Sequence, residues 1–304
     1  MKFLVTGGMG FIGRHTINEL QRTYPNSNII CLDNLSLSEE VSLGSRVEFV
    51  KGDVRDVELI EKLIKECDGG VIHLAADSRV LPSIENPAMV LESARTNVLG
   101  TANILASLAK FSPNSPIVYA GSSTAYGEVE IPHCEKDLPT VQSPYSATKL
   151  SGELLIRSFV VTFGIKATVF RYFQVYGPGQ PTSGAYALVT GVFIRQFLCG
   201  EPLTIEGNGS QTRDFVHVRD VARANVLGLS KDSRGLPINI GSGQMYSVKQ
   251  LADMISENQV FRPARRVDLK QTLADIRLAE ELIGWSPSIR LFEGIQELLN
   301  ASKL

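Results

Sequence analysis

Residues 2–13 read KFLVTGGMGFIG. A short apolar run leads into Gly7, Gly10 and Gly13, and a helical pattern follows at once. Glycine permits a tight turn at the first position and close approach of a pyrophosphate at the second; at the third it lets helix and strand pack closely. The helix opening at Phe11 and Ile12 turns unpaired N–H groups and its positive dipole end toward the phosphates. A glycine triplet alone is weak evidence, because turns use glycine freely. Here Asp33 follows about 20 residues later at the end of IICLD, the spacing of a carboxylate that accepts hydrogen bonds from ribose hydroxyls. The arrangement points to a dinucleotide, and with no arginine in the following DNLSLS it favours NAD over NADP. Read without these neighbours, Asp33 is a turn or cap residue.

Outward from that unit, KFLVTG, NIICLDN, VEFVKGD, GVIHLAA, PIVYAGSS and ATVFRYF read as strands bounded by Gly, Asn and Asp. Helical patterns lie between them. One covers residues 11–24 with Ile17, Leu20 and Tyr24 on a stripe, and another is DVELIEKLIKEC with Leu59, Leu63 and Ile64. Strands that are apolar throughout, alternating with helices, predict an α/β chain with a Rossmann-type doubly wound parallel sheet. After about residue 172 the alternation loosens into Gly- and Pro-rich turns such as VYGPGQPTSG and IEGNGSQTRD. We therefore expect a first lobe over 1–172 and a smaller C-terminal α/β lobe over 173–304, interleaved so that about 215–235 return to the first. There is no internal repeat, low-complexity tract or linker.

The 304 residues are 43% hydrophobic and 20% charged with a net charge of −2, which fits a globular chain and gives no footprint for nucleic acid. The longest apolar stretches, such as FVVTFGI, are too short or broken to span a bilayer. MKFLVTGG reaches glycine before a signal-peptide apolar region develops, so a cytoplasmic protein is expected. Cys31, Cys67, Cys134 and Cys199 lack C-x-x-C spacing, and His133 beside Cys134 has no further ligands nearby, so no metal is expected.

SPYSATK, residues 143–149, sets Tyr145 one turn ahead of Lys149 on one helix face, with Ser143 as N-cap and Pro144 as first helical residue. A cation near a tyrosine favours the phenolate, which moves the group toward the range of a general base. Taken alone, the pattern fits a packed tyrosine beside a solvated lysine equally well.

The glycine motif with Asp33, SSTAYG, the Y-x-x-x-K helix, RYFQVYGPG, GNGSQTRDFVHVRDVA and the late GW-P come in order along nearly the whole chain. As a set they resemble the extended short-chain dehydrogenase/reductase family, in particular its NAD-dependent nucleotide-sugar 4-epimerases. The resemblance implies Ser122, four positions before Tyr126, as a third catalytic residue with Tyr145 and Lys149. It implies cofactor contacts from Asn34, Asp53 and Val54, from Ala75, Ala76 and Asn97, and from Tyr145, Lys149 and Tyr172. For the nucleotide sugar it implies Ser78, Ser122, Ser123, Thr124 and Gln174. Arg213 and Arg265 would grip the diphosphate as guanidinium forks, and Asp268 would hold a ribose hydroxyl. A UDP-sugar is the expected substrate and NAD the tightly held cofactor. A homodimer pairing through long helices at about 87–110 and 144–163 is also implied, and Met89, Val90, Leu91, Val98, Leu105 and Leu108 are compatible with it.

Two positions depart from that pattern. Gln174 stands where the family usually has Asn, one methylene shorter. Ser123 and Thr124 occupy the places where the related 4,6-dehydratases carry Asp and Glu, and Thr124 is no strong base at neutral pH. The chain thus reads as a redox-neutral 4-epimerase. A dehydratase or a C4 oxidoreductase of the same family is the alternative, and a NAD-sensing scaffold with lost catalysis would show a broken triad.

Overall fold

The computed structural model describes residues 1–184, 187–264 and 269–301. The six expected strands are present as β1 (Lys2–Thr6), β2 (Asn28–Asp33), β3 (Val47–Lys51), β4 (Gly70–His73), β5 (Ile117–Ser122) and β6 (Ala167–Tyr172). Downstream follow β7 (Gln174–Tyr176), β8 (Leu203–Glu206), β9 (Thr212–His217), β10 (Pro237–Ile240), β11 (Met245–Ser247) and β12 (Gln259–Arg262). The first six strands and β10 form one parallel sheet in the order β10-β6-β5-β4-β1-β2-β3, with the strand order reversing between β1 and β4. β7, β9 and β11 form a second small sheet, and β8 pairs with β12.

The helices are α1 (Phe11–Thr23), α2 (Val57–Lys65), α3 (Val80–Glu85), α4 (Met89–Ala94), α5 (Gly100–Phe111), α6 (Pro144–Phe163), α7 (Val189–Leu198), α8 (Val218–Gly228), α9 (Val248–Asp253), α10 (Arg277–Ile283) and α11 (Leu291–Ala301). A π-helical turn, Arg95–Leu99, joins α4 to α5, so one long helical run does cover the expected region. Successive strand side chains point to opposite faces. Phe3 and Val5 therefore join Ile17, Leu20, Val221 and Trp285 on one side of the sheet, while Leu4 joins Ile60, Leu63, Ile104 and Leu108 on the other. Both faces are covered, which is why these strands are apolar throughout.

α8 packs against α1, and β10 completes the sheet alongside β6. A separate core of Tyr176, Phe193, Phe215, Leu251 and Ile295 holds the second lobe.

Candidate active site

The strand-to-helix turn is shaped by contacts that leave no room for a side chain. Gly7 has φ of +68°, and a Cβ there would stand 2.7 Å from the backbone N of Ala75. At Gly13 a Cβ would stand 2.3 Å from the carbonyl of Gly7, so α1 lies directly against the turn. Gly10 caps α1 without a side chain, which leaves the first amides of the helix, at Phe11 and Ile12, for a ligand.

Asp33 ends β2 beside this turn. Its Oδ2 accepts from Met9 N at 3.0 Å, and its Oδ1 accepts from Leu35 N at 2.9 Å and from Ser38 Oγ at 3.0 Å. Leu35 is held at φ of 59°, a conformation costing about 1–2 kcal/mol for a residue with a Cβ. The cradle and the carboxylate fit a dinucleotide with its pyrophosphate at α1.

Around it, exposed Asn34 donates to Asp53 Oδ2 at 2.8 Å. Burial pushes the Asp53 carboxyl up, but the Arg55 fork and Asn34 outweigh that and hold it below the usual carboxylate range. Val54 is buried against Gly100, Ala75 N donates to Thr6 Oγ1 at 3.2 Å, and Ala76 is half-buried just beyond.

The same edge of the sheet gathers the reactive groups. Ser143 caps α6 by accepting from Ser146 N at 3.1 Å, Pro144 is the first helical residue, and Tyr145 and Lys149 follow on the buried face. Lys149 is only 3% exposed. Its Nζ lies 4.5 Å from the ring centroid of Tyr119, whose hydroxyl donates to the Lys149 carbonyl at 3.1 Å. Burial pulls the Lys149 ammonium down to about 8. Burial also pushes the Tyr145 phenol up to about 12, against a hydrogen bond with Ser122 that draws it down. Ser122 ends β5 and caps the short 3-10 turn Ser123–Ala125, with its Oγ 2.9 Å from Thr124 Oγ1. The serine is thus both a strand-end cap and a neighbour of Tyr145.

Several expected contacts are already engaged within the protein. The amide of Asn97 is buried on the π-helical turn: Oδ1 accepts from Asp77 N, and Nδ2 donates to Asp77 O and Thr148 Oγ1. The Tyr172 hydroxyl donates to Asn225 Oδ1, which ties β6 to α8. Gln174 is half-buried at the start of β7 beside Phe215, Ser123 and Thr124 are half-buried, and Ser78 is exposed. Arg213 sits on β9 opposite Tyr246, with Nη1 donating to Thr212 O at 2.8 Å. Arg265 and Asp268 lie outside the described residues.

Two further buried acids border this site, Asp77 and Glu153. Asp77, fixed by Arg79 at 2.7 Å and Ser93 at 2.9 Å, adds its charge to the surroundings of Tyr145. Glu153 is legible in the sequence, because it continues the Tyr145–Lys149 spacing by one more turn. His133 belongs to the packing: its ring stacks on Tyr126 at 4.9 Å. Among the described residues no group of three or more His, Cys, Asp or Glu could hold a metal, and no helix is long and apolar enough to cross a membrane.

The model of the NAD dependent epimerase/dehydratase family matches residues 3–241. A putative UDP-glucose 4-epimerase of Methanocaldococcus jannaschii is 36% identical, over 99% of this chain and 98% of that protein. The crystal structure of UDP-glucose 4-epimerase with UDP-glucose from Thermotoga maritima superposes with a TM-score of 0.92 at 33% identity, covering 100% of this chain and 99% of that one. The Thermus thermophilus UDP-glucose 4-epimerase complex with NAD gives 0.88 at 30% identity, over 100% of this chain and 99% of that one. The chain belongs to the NAD-dependent epimerase/dehydratase family, and NAD is its cofactor.

Proposed function

We propose that this chain is an NAD-dependent 4-epimerase of a nucleotide sugar, most simply a UDP-sugar, which inverts C4 through a transient 4-keto sugar. The observation that carries the reading is the burial of Ser122, Tyr145 and Lys149 together on the edge of the sheet that also holds the glycine cradle. Bound NAD supplies a hydride acceptor that later returns the hydride. Tyr145 takes the proton of the C4 hydroxyl and gives it back, while Ser122 shares a hydrogen bond with the same oxygen. A buried phenol resists ionisation, so the step needs a positive charge beside it. Lys149, on the same helix face and titrating at about 8, carries that charge at neutral pH.

Gly7, Gly10, Phe11, Ile12, Gly13 and Asp33 would hold the dinucleotide in the first lobe. Arg213 and Gln174 would seat the diphosphate and sugar in the second. Positions 123 and 124 offer hydroxyls and no carboxyl, and the Thr124 hydroxyl is engaged with Ser122. Water elimination needs an acid and a base there, so epimerisation is favoured over dehydration.

Proton NMR of the purified protein, without added cofactor, with UDP-glucose, UDP-galactose, UDP-N-acetylglucosamine and UDP-glucuronate tests this. One C4 epimer pair should approach the same mixture from either side. A keto or deoxy product, or a need for stoichiometric NAD, overturns the reading. Tyr145→Phe should retain bound NAD and lose several orders of magnitude in turnover.

The enzyme acts in the cytosol as a homodimer. Leu105 and Leu108 are committed to the core, but Leu91 and Leu99 on one side and Leu154, Val161 and Phe163 on α6 are exposed and free to pair. A monomeric mass by light scattering at micromolar concentration would refute the dimer.

A further inference from the structure

The buried face of α6 continues past the tyrosine and the lysine. Tyr145, Lys149 and Glu153 stand at successive four-residue steps, and all three are buried. A carboxylate at this depth needs a partner, and Arg171 on β6 supplies it. Its Nη2 donates to Glu153 Oε2 at 2.8 Å, and its Nε donates to Oε1 and Oε2 at 3.2 and 3.1 Å. The two side chains are 4% and 5% exposed. On its other side the guanidinium lies over the Tyr126 ring, 4.7 Å from the centroid.

The strand makes room for the pair as well. A Cβ on Gly121, the residue before Ser122, would come within 2.7 Å of Glu153 Oε1. The Glu153 carboxylate thus lies against the strand one residue before Ser122.

The charges facing Lys149 can be counted element by element. On α6 they are Tyr145 and Glu153. On β4 His73 is held neutral, burial driving it down to about 3, with Nδ1 at 2.7 Å from Thr6 Oγ1 and Nε2 at 3.0 Å from Thr101 Oγ1. On β5 Tyr119 presents its ring, and burial keeps its hydroxyl protonated. On β6 Arg171 stands behind Glu153, and Asp77, beyond β4, acts on Tyr145 and is itself neutralised by Arg79. Glu153 is the anion on the lysine's own face.

We propose that Glu153, clamped by Arg171, is a positioning residue that keeps Lys149 protonated and thereby sets the pH range in which Tyr145 can act. The inference rests on the epimerase reading above. Without the carboxylate, the buried ammonium loses the one charge that offsets its burial and gives up its proton at lower pH. The phenolate then loses its cation, and Tyr145 ionises only at higher pH.

The test is the pH profile of kcat for the NAD-loaded enzyme, with the UDP-sugar pair found by NMR. Glu153→Gln should move the alkaline-rising limb upward by about one pH unit or more. Glu153→Asp, which keeps the charge, should bring it back toward the wild-type position. A double exchange, Glu153→Gln with Arg171→Gln, leaves no unpaired guanidinium behind and should displace the limb in the same direction if the single variant does not fold. A merely structural role would lower kcat or stability and leave the limb in place, and an unmoved limb in whichever variant folds overturns the proposal. A wild-type enzyme with no epimerase turnover would defeat the functional reading instead, so the two failures are distinct.

Discussion

The two lobes are held together by different means. In the first, the cradle is defined by exclusion: α1 lies so close to the β1 turn that backbone meets backbone, and apolar side chains cover both faces of the sheet. In the second, buried carboxylates gather segments far apart in the chain. Asp214 accepts from Ser242 N and Oγ, from Gly243 N and from Ala274 N; Asp220 does the same on α8, where the chain returns to the first lobe, accepting from Ser288 N and Oγ, from Ile289 N and from Arg223. The glycine turn is fixed by the absence of atoms, and the strand that carries Arg213 by one carboxylate with several donors. Single substitutions should therefore fail in different ways in the two.

The largest effect is expected at the glycine turn. Gly13→Ala places a methyl 2.3 Å from the Gly7 carbonyl and 2.7 Å from the Gly8 Cα, and neither backbone atom can yield without opening the β1–α1 unit. We expect a loss of about 3 kcal/mol or more and protein that purifies without NAD. Thermal melting and the NAD released on denaturation measure both. An alanine variant with wild-type melting and full NAD would break the comparison at its strongest point.

Asp214→Ala attacks the other lobe. It leaves the Ser242, Gly243 and Ala274 amides without their acceptor, the last of them buried, a loss of about 1–3 kcal/mol. Because Asp214 fixes the strand that carries Arg213, the KM for the UDP-sugar should rise by about tenfold, the equivalent of 1.4 kcal/mol. NAD should remain bound. If NAD is lost as readily as substrate affinity, the lobes are not separable as argued.

The same contrast explains what could be read in the sequence. Six strands, the glycine positions, the Ser143 cap and the Tyr145–Lys149 face follow from local periodicity and short spacings. β10 was missed because PINI is a short run whose burial comes from its neighbour β6, and nothing local marks it. The GW-P and RDVA segments stood as separate marks. Their link, the Trp285 Nε1 donating to the Asp220 carbonyl and the Asp220 carboxylate capping the chain at Ser288, spans more than 60 residues and has no sequence spacing to betray it. The site shows the same limit. Asn97 and Tyr172 could be placed near the cofactor by resemblance, but their hydrogen bonds to Asp77, Thr148 and Asn225 exist only once the helices have docked.

The smallest effect concerns acid; burial lowers all four histidines, most strongly His73 and His217. His73 sits in the first sheet, and His217 caps α8, its Nδ1 accepting from Arg219 N at 3.2 Å. Burial lowers both, to about 3 and about 4, and for His217 the Arg219 charge adds to that while Asp220 opposes it. Their folded values lie below the free value of about 6.5, so between these limits the unfolded chain binds more protons. The stability is complete above pH 6.5 and is lost as pH falls toward 4, at up to about 1.4 kcal/mol per pH unit for each histidine. His217→Asn keeps a side chain able to cap α8 but removes one titration. We expect urea midpoints close to wild type at pH 8 and a shallower decline between pH 6.5 and 4. Fluorescence of Trp285, the one tryptophan, follows it from a position bonded to the helix that His217 begins. An unchanged acid slope would assign the loss to the other histidines and the carboxylates, and would mean that the cap of α8 does not sense protons.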